Sequence, residues 1–117
     1  MDPNPTPDLL VLERAFLWTR ELYERTARFP KRLRHSLTSE MERTALCLLL
    51  ALTSARYRKA PVAELREADE RLDQLRLMLR LAFELQALPL GAYQALGEGL
   101  REVGRLVGGW RRACGGS

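Results

Sequence analysis

His35 is the single imidazole of this 117-residue chain, and Cys47 and Cys114 are its thiols. These are too few for the usual zinc site or for a disulfide framework. No Ser or Cys is presented to His35 by a nucleophile motif, and there is no Gly-rich phosphate loop or paired-carboxylate signature. The sequence therefore predicts no catalytic residue, no metal and no cofactor. What it does carry is guanidinium: 17 Arg against 2 Lys, within 19 cations set against 15 carboxylates for a formal net charge of +4.

The cations are clustered. Arg25, Arg28, Lys31, Arg32 and Arg34 lie between positions 25 and 35 with no acidic residue among them. Arg56, Arg58 and Lys59 form a second cluster, and Arg111 and Arg112 a third. Cations in the last turn of a helix complement the macrodipole, which covers Arg25, Arg28, Arg56, Arg58, Arg111 and Arg112. Lys31, Arg32 and Arg34 fall beyond a helix end, so they either contact phosphate or decorate a solvated loop. Arg76 and Arg80 stand at i and i+4, where like charges repel by a few tenths of a kcal/mol. Asp73 and Glu84 flank them; either these carboxylates compensate, or the pair is presented to an anionic or acidic partner.

The elements that must position these groups are helices. Leu occurs 24 times and Ile never, a vocabulary that favours helix over strand. Thr6 or Asp8 can cap a first helix with Pro7 in its opening turn, and Phe29-Pro30 stops it. Ser39 with Glu42 reads as a capping box, so a second helix starts between about Leu37 and Met41 and fades near Lys59. Pro61 opens a third, running to about Ala87, and Pro89 opens a fourth. Short connections predict an all-α, antiparallel up-down-up-down four-helix bundle over residues 9–112. Residues 1–8 read as a disordered Pro-rich leader, unlike a basic signal peptide, and 113–117 as a flexible tail. The stretch Thr44 to Ala55 is free of charge but far short of the ~20 residues that span a bilayer. With two unpaired thiols, Cys47 read as a small buried hydrophobe, this predicts a soluble cytoplasmic protein.

Periodicity assigns the faces. Leu65, Ala68, Leu72, Leu75, Leu79 and Ala82 form the seam of the third helix. Tyr93, Leu96, Leu100, Val103, Val107 and Trp110 form that of the fourth. In the first helix Leu9, Leu12, Phe16 and Tyr23 read as the core stripe, with Val11, Ala15, Trp18 and Leu22 as a second stripe beside it. The second helix is apolar all round from Ala45 to Leu52. These faces exceed what a four-helix monomer buries and predict self-association through the first two helices. Gly97, Gly104 and Gly108 share a stripe of the fourth helix, which predicts either close approach of a neighbouring backbone or a weak, fraying C-terminal helix.

Three motifs together resemble a known family. Phe29-Pro30-Lys31 followed by Arg34 and Leu37, the segment from Leu75 to Ala82, and Val103-Gly104-Arg105-Leu106-Val107-Gly108-Gly109-Trp110 are similar to the accessory variability determinant, Avd, of diversity-generating retroelements. Avd belongs to a wider group of four-helix bundles that includes proteins encoded in intervening sequences of bacterial large-subunit ribosomal RNA genes. The resemblance runs from about Leu9 to Arg112. It implies a homopentameric ring or barrel of bundles that binds the element's reverse transcriptase and, without sequence specificity, RNA and DNA. Such a protein supports mutagenic cDNA synthesis without catalysis of its own. Matching residues place the reverse-transcriptase contact at Arg76 and Arg80, with Arg105 a second candidate. The nucleic-acid surface comprises Lys31, Arg32, Arg34, Arg105, Arg111 and Arg112. The run Leu33-Arg34-His35-Ser36 departs from the family's usual polar run, and the fourth helix is richer in Gly. The alternative is a bundle with a structural or ribosome-associated role and no reverse-transcriptase partner. Arg28 followed by His35 also resembles the Arg…His pattern of HEPN-type ribonucleases, but it straddles Pro30 instead of lying on a helix.

Overall fold

A computed structural model describes residues 6–115. Every regular element among them is helical: α1 (Pro7–Thr26), α2 (Ser39–Arg56), α3 (Val62–Glu84) and α4 (Leu90–Ala113). A 3₁₀ turn (Lys31–Leu33) and a π turn (Arg34–Thr38) join α1 to α2. Residues 1–5 of the expected leader and 116–117 of the expected tail lie outside the described residues, and α1 takes in Pro7 and Asp8.

The helix ends follow local chemistry, with one reversal. Pro7 occupies the first helical position of α1, where a missing N–H costs nothing. The capping box expected at Ser39 does not form. Thr38 already has helical backbone, because the chain has been winding since Pro30, and there is no free N-terminus to cap. Glu42 instead accepts a hydrogen bond from the Thr26 hydroxyl of α1 at 2.6 Å. The π turn has a packing reason. Phe29, Leu33, Leu37 and Met41 are all buried at steps of four, and three such steps overshoot three turns of 3.6 residues by about one residue. A π turn absorbs that residue and keeps all four on one face. At its far end α3 closes in a Schellman motif, with Ala87 N–H bonded to Ala82 C=O and Gln86 N–H to Phe83 C=O. The left-handed position falls on Gln86 (φ 63°), where glycine is usual.

The helices pack in a cycle, α1 against α2 and α4, and α3 against α2 and α4. Asp8 pairs with Arg56 at 3.0 Å, joining the start of α1 to the end of α2. Arg14 pairs with Glu102 at 3.3 Å, while Trp18, further along α1, donates its Nε1–H to Leu96 C=O at 2.8 Å, further back along α4. Phe83 and Tyr93 stack across α3 and α4 with ring centroids 4.7 Å apart.

The seam predicted for α3 is the buried set of that helix without exception, and that of α4 holds apart from Tyr93, which is half-buried beside Ala92. The two stripes of α1 are exchanged. Val11, Ala15, Trp18 and Leu22 are buried, whereas Leu9, Phe16 and Tyr23 are exposed and only Leu12 packs partly on the core. An apolar arc of half the circumference has no unique inner face. The choice falls to Trp18, whose ring lies over Gly99, where a Cβ would sit 2.6 Å from Trp18 Cδ1. Burying the Trp stripe against this notch and giving its N–H a carbonyl satisfies both its area and its polar atom.

The excess of apolar surface survives the exchange. Leu9, Phe16, Leu17 and Tyr23 on α1, Leu46 and Leu50 on α2, and Leu77 and Leu81 on α3 remain in solvent. Cys47 is half-buried and not in the core; it lines a groove of about 410 Å³ between α2 and α3 with Arg43, Arg71, Leu77 and Met78.

Candidate nucleic-acid interface

The segment after Pro30 is organised by its apolar residues. Phe29, Leu33 and Leu37 are driven into the bundle, and the turn between them leaves Lys31, Arg32, Arg34 and His35 exposed. Among the described residues none of these three cations has an ion-pair partner or a side-chain hydrogen bond. Lys31 and Arg34 share a recess of about 220 Å³ with Thr26, Thr38 and Glu42. Thr38 Oγ1 is buried there without a partner. Burial, with the Glu42 carboxylate adding to it, holds the Tyr23 phenol above its usual pKa.

The other predicted residues differ in what they have to offer. Arg105 and Arg112 are exposed on α4, neither in an ion pair among the described residues, with the Arg112 guanidinium folded back along Gly108 and Gly109. Arg111 is turned inward and pairs with Asp69 of α3, its side chain only 21% exposed. Arg76 is bound to Asp73 at 2.6 Å and lies against Gly104, where a Cβ would fall 2.6 Å from its Nη2. Arg80 is exposed without an ion-pair partner among the described residues, so Asp73 compensates one member of the pair and Glu84 does not compensate the other.

This corrects the reading of the glycine stripe. No backbone from another helix approaches Gly97, Gly104 or Gly108; Arg side chains lie by the latter two, and a Cβ at Gly97 would meet nothing within 4 Å. Gly97 and Arg76 instead line a groove of about 360 Å³ between α3 and α4, floored by Leu79 and Tyr93, with Arg101 on its rim. Arg101 was missed in the sequence, although it falls on the stripe of Gly97, Gly104 and Gly108. Its charge is tied to Glu98 at 2.5 Å.

Arg28 and His35 are both exposed, on opposite sides of the Pro30 break. No group of three or more His, Cys, Asp and Glu among the described residues is placed to hold a metal ion. No described helix is long and apolar enough to cross a membrane.

A family model described as bAvd-like matches residues 10–114. The chain belongs to the bAvd-like family. The match covers α1 from Leu10 onward, the basic turn between α1 and α2, and all of α2, α3 and α4, and so includes each of the three motifs that carry the resemblance to Avd. No curated protein matches the chain.

Proposed function

We propose that this bAvd-like chain is a non-catalytic accessory protein of a diversity-generating retroelement, acting in the cytoplasm, that binds the reverse transcriptase and nucleic acid through separate sets of cations. The observation that carries the reading is the family match together with Lys31, Arg32 and Arg34. These cations are held in solvent by a buried Phe29, Leu33 and Leu37, with no carboxylate paired to them among the described residues. Arg105 and Arg112 extend the nucleic-acid surface. Arg111, already bound to Asp69, contributes through the field of the bundle more than by direct contact. Arg76 and Arg80 face the polymerase, Arg80 with its charge uncommitted.

The family also supports assembly. An antiparallel up-down-up-down bundle accounts for the pairing of Asp8, at the start of α1, with Arg56, at the end of α2. The exposed leucines and Phe16 of α1 to α3 supply apolar surface for a homo-oligomeric ring, and five copies would carry 5 × (+4) = +20. Such a field holds RNA or an RNA–cDNA hybrid without reading its sequence.

The test is a salt titration of binding to a labelled mixed-sequence RNA. Affinity should fall steeply with salt, and a Lys31→Ala, Arg32→Ala, Arg34→Ala variant should flatten the log–log slope by up to about 2–3, at roughly 0.7–0.9 per phosphate contact. An unchanged slope, or binding restricted to one sequence, would refute this surface. Arg76→Ala with Arg80→Ala should release the reverse transcriptase from a co-purified complex while helicity is unchanged; retention would place the protein contact elsewhere.

A further inference from the structure

Tyr57 is 84% exposed, more than any other large hydrophobic side chain among the described residues. It caps the C-terminal end of α2, its N–H bonded to Ser54 C=O at 3.1 Å, so the backbone beneath it is fixed. Its ring takes no part in the single aromatic stack of the described residues, and its hydroxyl has no partner among them. Leaving a ring of this size in water forgoes the burial that Tyr93, Trp18 and Trp110 obtain.

The surroundings say what the ring suits. Ala55 and Pro61 are buried, and all five residues between them, Arg56-Tyr57-Arg58-Lys59-Ala60, are exposed. That loop contains three cations, one aromatic ring and no acidic residue. Arg56 is held by Asp8 and Arg58 by Glu64, the latter with its side chain still 63% exposed, while Lys59 has no ion-pair partner among the described residues. The first two turns of α3 thus anchor both Arg58, through Glu64, and Arg111, through Asp69. A protein-binding hot spot would be surrounded by further apolar groups and depleted of charge at its centre. An aromatic platform among cations is instead how single-stranded nucleic acid is held, with bases on the ring and phosphates on the charges.

Resting on the nucleic-acid-binding reading above, we infer that the α2–α3 loop is a second contact site, selective for unpaired nucleotides, in which a base stacks on Tyr57 and the adjoining phosphates meet Arg58 and Lys59. The turn from Lys31 to Arg34 carries no aromatic residue of its own, and its phosphate contacts are indifferent to strandedness. Paired bases present no free face to a ring at the loop tip, so the Tyr57 contribution is confined to single strands.

Fluorescence anisotropy with the full chain tests this, using a labelled 20-nucleotide single-stranded RNA of mixed sequence and the same sequence annealed as a duplex. Tyr57→Ala should weaken single-strand binding by roughly 5- to 150-fold, which corresponds to ~1–3 kcal/mol for one base–aromatic stack. Duplex binding should change less than twofold, and Tyr57→Phe should retain wild-type affinity for both. Because Tyr57 touches nothing in the core, circular dichroism should show an unchanged fold. Wild-type binding that is indifferent to Tyr57→Ala overturns the inference and leaves the basic-surface reading intact. No RNA binding by the wild type overturns both. Unchanged RNA affinity with release of a co-purified reverse transcriptase by Tyr57→Ala would assign the loop to protein.

Discussion

Two glycines two residues apart on α4 should respond to the same substitution with opposite sign. Intrinsic propensity favours Ala over Gly within a helix by ~1 kcal/mol at both. At Gly97 an added Cβ meets nothing within 4 Å, so Gly97→Ala should keep the whole gain. At Gly99 the Cβ would lie 2.6 Å from Trp18 Cδ1 and 3.2 Å from Nε1. Restoring ordinary contact at about 3.4 Å moves the ring by 3.4 − 2.6, close to 1 Å. Trp18 is only 4% exposed and bonded to Leu96 C=O at 2.8 Å, so it cannot yield without straining that bond. Overpacking costs ~1–3 kcal/mol and a lost hydrogen bond ~0.5–1.5 kcal/mol. Less the helix gain, Gly99→Ala should destabilise by ~0.5–3.5 kcal/mol. For a chain of this length ~1 kcal/mol corresponds to roughly 4 °C in Tm. Thermal unfolding followed by circular dichroism at matched concentration should then show Gly97→Ala about 4 °C above wild type and Gly99→Ala about 2–14 °C below it. A Trp18→Leu background should remove the penalty. A Gly99→Ala protein as stable as wild type would refute the notch as the reason Trp18 faces inward.

Gln86 occupies a left-handed backbone position at the end of α3, so Gln86→Gly should raise stability by up to about 1 kcal/mol in denaturant melts, and Gln86→Val should lower it. Ser39→Ala should leave stability within about 0.5 kcal/mol of wild type, because no cap is formed there. Thr26→Val, which removes the donor to Glu42, should cost about 1 kcal/mol or more in the same melts. The Thr6 hydroxyl, and after it Arg56, hold the Asp8 carboxyl below its ordinary pKa despite opposing desolvation. A depressed folded-state value contributes stability above the unfolded-state pKa and loses it as pH falls through the folded one. Asp8→Asn should therefore cost no more than ~1 kcal/mol at pH 7, and the gap to wild type should close in acid melts below about pH 4.

The sequence by itself determined the four helices and the seam of α3, because alternating steps of three and four residues run without a break from Leu65 to Ala82 and mark one face to bury. It also determined that apolar surface is in excess, and that cations gather after Pro30 with nothing acidic among them. It could not decide which stripe of α1 turns inward, since Leu9, Phe16 and Tyr23 are as apolar as Val11, Ala15 and Leu22. Only the notch at Gly99 and the carbonyl of Leu96 distinguish them. Nor could it decide the partners of individual charges. Arg76 and Arg80 look alike in the chain, yet one is bound to Asp73 and laid against Gly104 while the other is left in solvent. Arg111 and Arg112 are adjacent, yet one is drawn inward by Asp69, 42 residues away. Periodicity is a local property and fixes faces. Pairing across helices depends on the lateral and axial register of two surfaces, and that is decided only when they pack.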